Sequence, residues 1–95
     1  MSAYVILDAE VTDPGAYEEY KKQSTEALAA YGGKFLVRGG PHEVLEGDWS
    51  PSRIVLFEFP DMASARSLFN SDEYAPLMAL RRSCSSGHIV LVDGE

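Results

Sequence analysis

The chain has 95 residues and a formal net charge of −7, because 8 basic residues stand against 15 acidic ones. Its apolar content of 45% is too high for a disordered chain, and its length suits one globular domain and excludes two. The negative charge argues against nucleic acid and anionic membranes as partners, because both are themselves negative.

Cysteine usage and the first residues of the chain together predict a cytoplasmic location. Cys84 is the only cysteine, so it has no internal disulfide partner, as is usual in a reducing compartment. The chain starts MSAYVILDAEV, which lacks the basic beginning of a signal peptide. No apolar run approaches the ~20 residues that a membrane helix needs.

The first third of the chain predicts a strand followed by a long helix. Ala3–Val11 is apolar and rich in β-branched residues, which is typical of a strand. Asp13 and Pro14 mark a helix start, since aspartate caps free backbone N–H groups and proline suits the first helical position. Apolar residues then recur at three- and four-residue steps until Gly32 and Gly33 end the helix.

The middle of the chain predicts two strands with an interruption in the first of them. Lys34–Arg38 is the second strand, and we expect it to resume over His42–Leu45. Gly39 and Gly40 allow either a β-bulge or a tight hairpin between these segments. Ser52–Phe59, with the sequence SRIVLFEF, is the clearest strand of the chain.

The last third predicts two helical segments and a final strand. Asp61 or Ser64 opens the first segment, and residues 71–74 form a break with a new helix cap. Further helical turns run through residues 75–82, and the last strand is His88–Val92. The order is therefore β-α-β-β-α-β, an α+β fold of the ferredoxin-like kind with an antiparallel sheet and helices on one face.

Both faces of this predicted sheet are apolar. Successive side chains of a strand point to opposite faces. The first strand has Val5, Leu7, Ala9 and Val11 on one face. Tyr4 and Ile6, with Asp8 and Glu10, lie on the other. Helices on one side cover a single face, and we find no spare segment for the second. An uncovered apolar face marks an interface, so we predict a homodimer in which two sheets pack face to face.

Three stretches of the sequence carry a family resemblance. They are AYVILDAEVTDPGAYEEY, then AAYGGKFLVRGG, then VLEGDWSPSRIVLFEFPDMASARSLFNSDEYAPLMALR, which together span nearly the whole chain. They resemble the domain-of-unknown-function family thirteen-thirty. The resemblance implies membership of the dimeric α/β-barrel superfamily, in which two sheets form one barrel. That superfamily includes cofactor-free monooxygenases, muconolactone isomerases, haem-binding chlorite dismutases and proteins without assigned activity, so it implies no single function.

Three charged residues interrupt otherwise apolar strands and are the first site candidates. They are Asp8, Arg38 and Glu58. An isolated buried charge is costly, so we expect Arg38 to pair with Glu58, with Asp8 as a second acceptor. One interpretation is an arginine that fixes a small carboxylate or enolate while a carboxylate moves a proton. The other is a structural salt bridge.

Three further residues are candidates for a ligand pocket. Trp49 lies in a loop bounded by glycine and proline, where it either lines a pocket mouth or covers the core or a second subunit. Tyr74 and Arg81 lie about two turns apart and either reach a cleft between helices and sheet or serve as a helix anchor and a solvated charge. Arg38, Glu58, Tyr74, Trp49, Arg81 and Asp8 are thus the predicted ligand-binding residues.

The sequence contains no motif for a metal or cofactor, so we expect none. His42 and His88 are too far apart for a local metal motif, and either would have to serve alone as an axial ligand to haem. The tyrosines of the first helix recur at helical spacing and are expected in the core. Two functions remain open: a small homodimeric protein that binds a small organic ligand or acts as an accessory protein, and a cofactor-independent enzyme acting on a small aromatic or acidic metabolite.

Overall fold

The computed structural model describes residues 2–95 and shows one antiparallel sheet with helices packed on one face. The elements in chain order are β1 Ala3–Val11, α1 Pro14–Ala30, β2 Lys34–Arg38, β3 Ile54–Phe59, α2 Met62–Phe69, α3 Ala75–Cys84 and β4 Ser85–Asp93. The strands lie in the order β2-β3-β1-β4. The predicted ferredoxin-like arrangement is confirmed, with β3 starting two residues later than expected and β4 extending further at both ends.

Aspartate caps begin the first two helices, as the sequence predicts. The Asp13 carboxylate accepts a hydrogen bond from Ala16 N at 3.2 Å, and the Asp61 carboxylate accepts one from Ser64 N at 2.7 Å. Each bond satisfies a backbone donor that has no partner inside the helix. Asp61, not Ser64, is therefore the cap of α2.

The core lies between the helices and one face of the sheet. Alternate residues of β1 and β3 are buried there: Ala3, Val5, Leu7, Ala9, Val55, Phe57 and Phe59. The helices cover them with another set of buried side chains: Tyr17, Tyr20, Leu28, Ala65, Leu68, Tyr74, Leu77 and Cys84. Burying these aliphatic and aromatic side chains is the main term that stabilises the fold.

The opposite face of the sheet, called the open face below, is also apolar. Its apolar side chains are Tyr4, Ile6, Val37, Ile54, Leu56, Val90 and Val92. At its edge Val90 is 53% exposed and Val92 is 44% exposed. An antiparallel sheet facing water normally carries polar residues there, so this face has the character of an interface.

The bulge in β2 lies earlier than the sequence suggests. The pairing of β2 with β3 shifts between Phe35 and Val37, so that Val37 lies opposite Leu56 and Arg38 lies opposite Val55. One extra residue in a strand moves every later side chain to the other face. Arg38 therefore lies on the helix side of the sheet. The expectation of a bulge or hairpin at Gly39 and Gly40 was wrong.

The predicted strand over His42–Leu45 was also wrong, because residues 39–53 form an irregular exposed loop. Pro41 has no N–H to give to a strand ladder, and in the described structure His42–Leu45 pairs with no strand. Leu45 is 89% exposed. A spare segment therefore exists after all, and part of it reaches the open face. No helix among residues 2–95 is long and apolar enough to cross a membrane.

Candidate functional site

A cleft lies between α1 and the helix side of the sheet. Its lining comes from α1, from strands β1 to β3 and from the residue before β3: Leu7, Tyr17, Tyr20, Lys21, Ser24, Thr25, Leu28, Phe35, Arg38, Arg53, Val55 and Phe57. Its enclosed volume is about 30 Å³. That volume holds one or two waters, so an organic ligand needs the exposed side chains at the mouth to move.

The floor of the cleft is apolar and aromatic. Leu7, Val55 and Phe57 are buried side chains of the sheet, and the Phe35 ring lies 5.6 Å from the Phe57 ring, centroid to centroid. Leu28 closes the floor from α1. Such a surface favours the apolar body of a ligand, as in most small-molecule sites.

Two tyrosines of α1 form the wall of the cleft. Tyr17 and Tyr20 are 4% and 5% exposed, and their rings lie 5.5 Å apart. The Tyr20 hydroxyl is hydrogen-bonded to the Tyr74 hydroxyl at 2.9 Å. Burial, with the Tyr74 contact, raises the pKa of Tyr20 far above its ordinary value. Tyr20 is therefore neutral at physiological pH and acts as a hydrogen-bond donor or acceptor, not as a base.

Two arginines bring positive charge to the cleft. The Arg38 guanidinium lies 3.7 Å from the Phe35 ring centroid and donates a hydrogen bond to Thr25 Oγ1 at 3.2 Å. The Arg53 guanidinium lies 5.7 Å from the Tyr17 ring centroid, and its buried Nε has no hydrogen-bond partner. Both contacts are cation–π geometries, which hold a guanidinium in place without neutralising it.

The expected pairing of Arg38 with Glu58 was wrong. Glu58 lies on the open face, where its carboxylate forms an ion pair with Lys34 Nζ at 3.3 Å. Hydrogen bonding from the Ser2 hydroxyl, followed by that from Lys34, lowers the pKa of Glu58 below its ordinary value. Without the bulge before Val37, Arg38 and Glu58 would share a face. The bulge places Arg38 on the other face, so Glu58 pairs with Lys34 and not with Arg38.

Asp8 and Trp49 do lie together, but at the open face and away from the cleft. The Asp8 carboxylate accepts hydrogen bonds from Trp49 Nε1 and from Ser52 N, both at 3.0 Å. Desolvation alone would raise the pKa of Asp8, but these bonds, one from Arg53 N and the charge of His88 outweigh it and lower the pKa. Asp8 thus fastens the exposed loop to the end of the sheet.

We expect the contact between Asp8 and Trp49 to break on acidification. The pKa of Asp8 is lower in the folded protein than its ordinary value of 3.8, so the carboxylate stabilises the folded loop above that pH. The contribution is lost as the pH falls through the folded-state pKa. Since Trp49 is the single tryptophan, its fluorescence emission reports the change directly. The emission should shift to the red while far-UV circular dichroism stays unchanged.

A matched pair of variants tests the assignment. Asp8→Ala should show the red-shifted emission already at neutral pH, because the indole N–H has lost its acceptor. Glu10→Ala removes an exposed carboxylate from the same strand and should leave the emission as in the wild type. An unchanged emission maximum in Asp8→Ala would contradict this role of Asp8.

The remaining predicted residues lie behind the cleft wall. Tyr74 is fully buried and does not line the cleft, but its hydroxyl is hydrogen-bonded to that of Tyr20, which does. Arg81 is 9% exposed on α3, and its Nε has no partner. Cys84 is buried next to it, and desolvation raises the pKa of its thiol. Among residues 2–95 no three metal-ligating side chains lie together.

Arg53 and the two tyrosines were not among the predicted site residues. Arg53 shares its sheet face with Val55 and Phe57, and a cation among core-facing positions was the signal in the sequence. Tyr17 and Tyr20 occur at helical spacing and are indeed buried. Nothing in that spacing shows that the two side chains line a cleft, because this depends on the distance between α1 and the sheet.

The fold and the cleft define a small ferredoxin-like protein with a pocket under its first helix. Over residues 2–95 the sequence matches the family described as "Domain of unknown function (DUF1330)", and the chain belongs to that family. This confirms the resemblance noted from the sequence. No curated protein matches the chain.

Solved structures share the fold at low sequence identity. The RPA0582 protein of unknown function from Rhodopseudomonas palustris is 16% identical, with a TM-score of 0.79 over 99% of this chain and 82% of its own. SnoaB, a cofactor-independent oxygenase from Streptomyces nogalater, is 13% identical, with a TM-score of 0.69. The match covers 99% of this chain and 93% of SnoaB. A dimeric ferredoxin-like protein of unknown function from Jannaschia sp. CCS1 is 17% identical, with a TM-score of 0.60. The match covers 100% of this chain and 99% of that protein.

Proposed function

We propose that this protein is a homodimer that binds a small organic molecule in the cleft under α1. The observation that carries the proposal is the make-up of the cleft: an apolar floor, two buried tyrosines and unneutralised arginines converge on one concave surface. Such a combination is typical of ligand sites and costs stability without a ligand, because desolvated polar groups remain unpaired.

The open face supports the dimer. Its apolar side chains would be covered by the same face of a second copy, in an isologous contact. The neighbour from Jannaschia is described as dimeric and shares the fold. Asp8, Glu58 and Trp49 lie on this side of the sheet, so in the dimer they belong to the interface region and not to the cleft.

The alternative function is a cofactor-independent enzyme acting on a small aromatic or acidic metabolite. The similarity of fold to the Streptomyces nogalater oxygenase supports it at the level of architecture. The cleft itself favours binding over proton transfer, because its lining holds no carboxylate or histidine and Tyr20 stays protonated. We further propose a cytoplasmic location, supported by the single cysteine. We also propose that neither nucleic acid nor an anionic membrane is a partner, because the chain is acidic.

Thermal-shift measurements with a set of small aromatic and aliphatic metabolites test the proposed function. A ligand at about 100 times its Kd should raise the melting temperature of a domain this size by roughly 10 °C or more. Arg38→Ala should reduce that shift, because Arg38 lies at the mouth of the cleft. Arg82→Ala, which removes an exposed arginine of α3, should keep it. Absence of a shift with every compound would contradict ligand binding.

A further inference from the structure

The charge of the cleft is opposite to that of the whole protein. The chain carries 15 acidic and 8 basic residues, yet the lining of the cleft includes Lys21, Arg38 and Arg53 and no acid. The chain as a whole has nearly twice as many acidic as basic residues, so an average part of its surface is negative. The cations of the lining favour a negative ligand group inside the cleft, while Glu18, Glu19 and Glu26 lie just outside its mouth, beside Lys21 and Arg38.

The arginines of the cleft have no carboxylate partner within the protein. Among residues 2–95 the ion pairs are Lys21 with Glu18 at 2.8 Å and Lys34 with Glu58 at 3.3 Å. Lys21 is thus partly neutralised, whereas Arg38 and Arg53 form no ion pair at contact distance. The hydrogen bond and charge of Lys21, and after them the charge of Arg53, lower the pKa of Glu18. The two arginines are the cations available to a ligand.

Arg53 is held in a fixed position with a donor left over. On one side its guanidinium faces the Tyr17 ring, and on the other it lies so close to Gly39 that a Cβ there would collide with it. Gly39 has a φ of +70°, which favours glycine in any case. The Arg53 Nε is fully buried without a hydrogen-bond partner, and such a group is retained at a cost unless something else satisfies it.

We propose that the ligand of the cleft is a small apolar or aromatic carboxylate, and that Arg53 binds its carboxylate group. This inference rests on the proposed function and names its ligand class. The planar guanidinium presents paired donors that match the two oxygens of a carboxylate. The apolar body of the ligand lies on Phe35 and Phe57, and Arg38, the exposed cation at the mouth, moves to admit it and then adds a second positive charge.

Comparing the affinity of an acid with that of its amide separates the effect of the ligand's charge from the effect of its shape. Benzoate with benzamide and phenylacetate with phenylacetamide are pairs that differ chiefly in the ionised group at neutral pH. Isothermal calorimetry on the full chain should show that the acid of a pair binds roughly tenfold or more tightly than its amide, because only the acid makes charge-assisted hydrogen bonds. Arg53→Gln should reduce this preference severalfold, because only the weaker contribution of Arg38 remains, while Arg82→Gln, on the exposed side of α3, should keep it.

A second variant distinguishes a binding role from a structural one. Arg53→Lys retains the charge but not the paired donors, so it should keep the preference for acids with a weaker Kd. The melting temperature of unliganded Arg53→Gln should be unchanged or higher than that of the wild type, because a buried donor without a partner has been removed. A structural arginine would give a clear loss.

The outcomes separate the two proposals. If amides bind as tightly as acids, or if Arg53→Gln or Arg53→Lys matches the wild type in both Kd and preference, the ligand class or the role of Arg53 is wrong while the binding function stands. If none of the four compounds binds the wild type at millimolar concentration but a compound of the thermal-shift set does, the ligand class is wrong and the binding function stands. If no compound of either set binds, the proposed function is contradicted and the inference falls with it.

Discussion

Leu56→Glu should convert the proposed dimer into a monomer of 10.4 kDa. Leu56 lies near the centre of the open face, on β3, between Ile6 of β1 and Val37 of β2. In a face-to-face dimer each substitution occurs twice about the symmetry axis, and each buries an unpaired carboxylate. At roughly 3 kcal/mol for each charge, the dimer dissociation constant should rise by a factor on the order of 10⁴.

A control variant on the helix layer adds the same charge elsewhere. Ala79→Glu places a carboxylate on an exposed position of α3 and should leave the dimer intact. Light scattering at micromolar concentration distinguishes the two masses, and circular dichroism shows that both variants fold. Wild-type protein with a mass near 10.4 kDa, or a dimeric Leu56→Glu, would contradict the open face as the dimer interface.

Tyr74→Ala should have the largest effect on stability of any single change in the helix layer. The side chain is fully buried, it packs edge-on against Phe69 at 5.2 Å between ring centroids, and its hydroxyl is bonded to Tyr20. Truncating a buried aromatic residue costs about 3–5 kcal/mol of the free energy of unfolding. A small domain has about 5–15 kcal/mol in total, so Tyr74→Ala should be partly or wholly unfolded at 37 °C.

The hydroxyl pair gives a finer measurement on folded variants. Tyr74→Phe leaves the Tyr20 hydroxyl without its partner and should cost about 1–3 kcal/mol, whereas the double change Tyr20→Phe/Tyr74→Phe should cost less than the two single changes summed. Tyr31→Phe, which removes an exposed hydrogen bond to Glu73, is the control and should cost less than 1 kcal/mol by a rough estimate. Urea unfolding at one fixed protein concentration measures all four variants. Additive costs would show that the hydroxyls are not coupled.

The fold follows from features that act locally in the sequence. The Asp13 cap, the period of α1 and the alternation in β1 and β3 each depend on neighbouring residues, and each is confirmed. The open apolar face follows from the same alternation. We interpret this face as an interface because the helices of the fold cover only the other face of the sheet.

The errors concern features that depend on distant parts of the chain. The pairing register between β2 and β3 decides which face Arg38 takes, and the bulge before Val37 cannot be located from the residues KFLVR alone. His42–Leu45 has the alternation of a strand but no neighbouring strand to pair with. A strand needs a partner, and the sequence of one segment does not supply it.

The site shows the same limit. Asp8 and Trp49 can both be recognised in the sequence as a polar and an aromatic residue at unusual positions. They are 41 positions apart in the sequence, and the structure brings them into contact outside the cleft. Arg53 is the opposite case, since strand alternation places it on the same sheet face as Val55 and Phe57 but does not single it out. What makes it a site residue is a buried donor without a partner, and that property exists only once Tyr17 and Gly39 enclose the guanidinium.

Mapping of backbone amide chemical shifts tests most directly whether the cleft under α1 is a ligand site. Uniformly ¹⁵N-labelled protein would be titrated with phenylacetate and the perturbed amides assigned. The largest shifts should occur at Tyr17, Tyr20, Thr25, Arg38 and Arg53, which line the cleft from α1, from the end of β2 and from the residue before β3. Shifts confined to residues 39–52 or to the open face, or no shifts at millimolar phenylacetate, would contradict the cleft as the binding site.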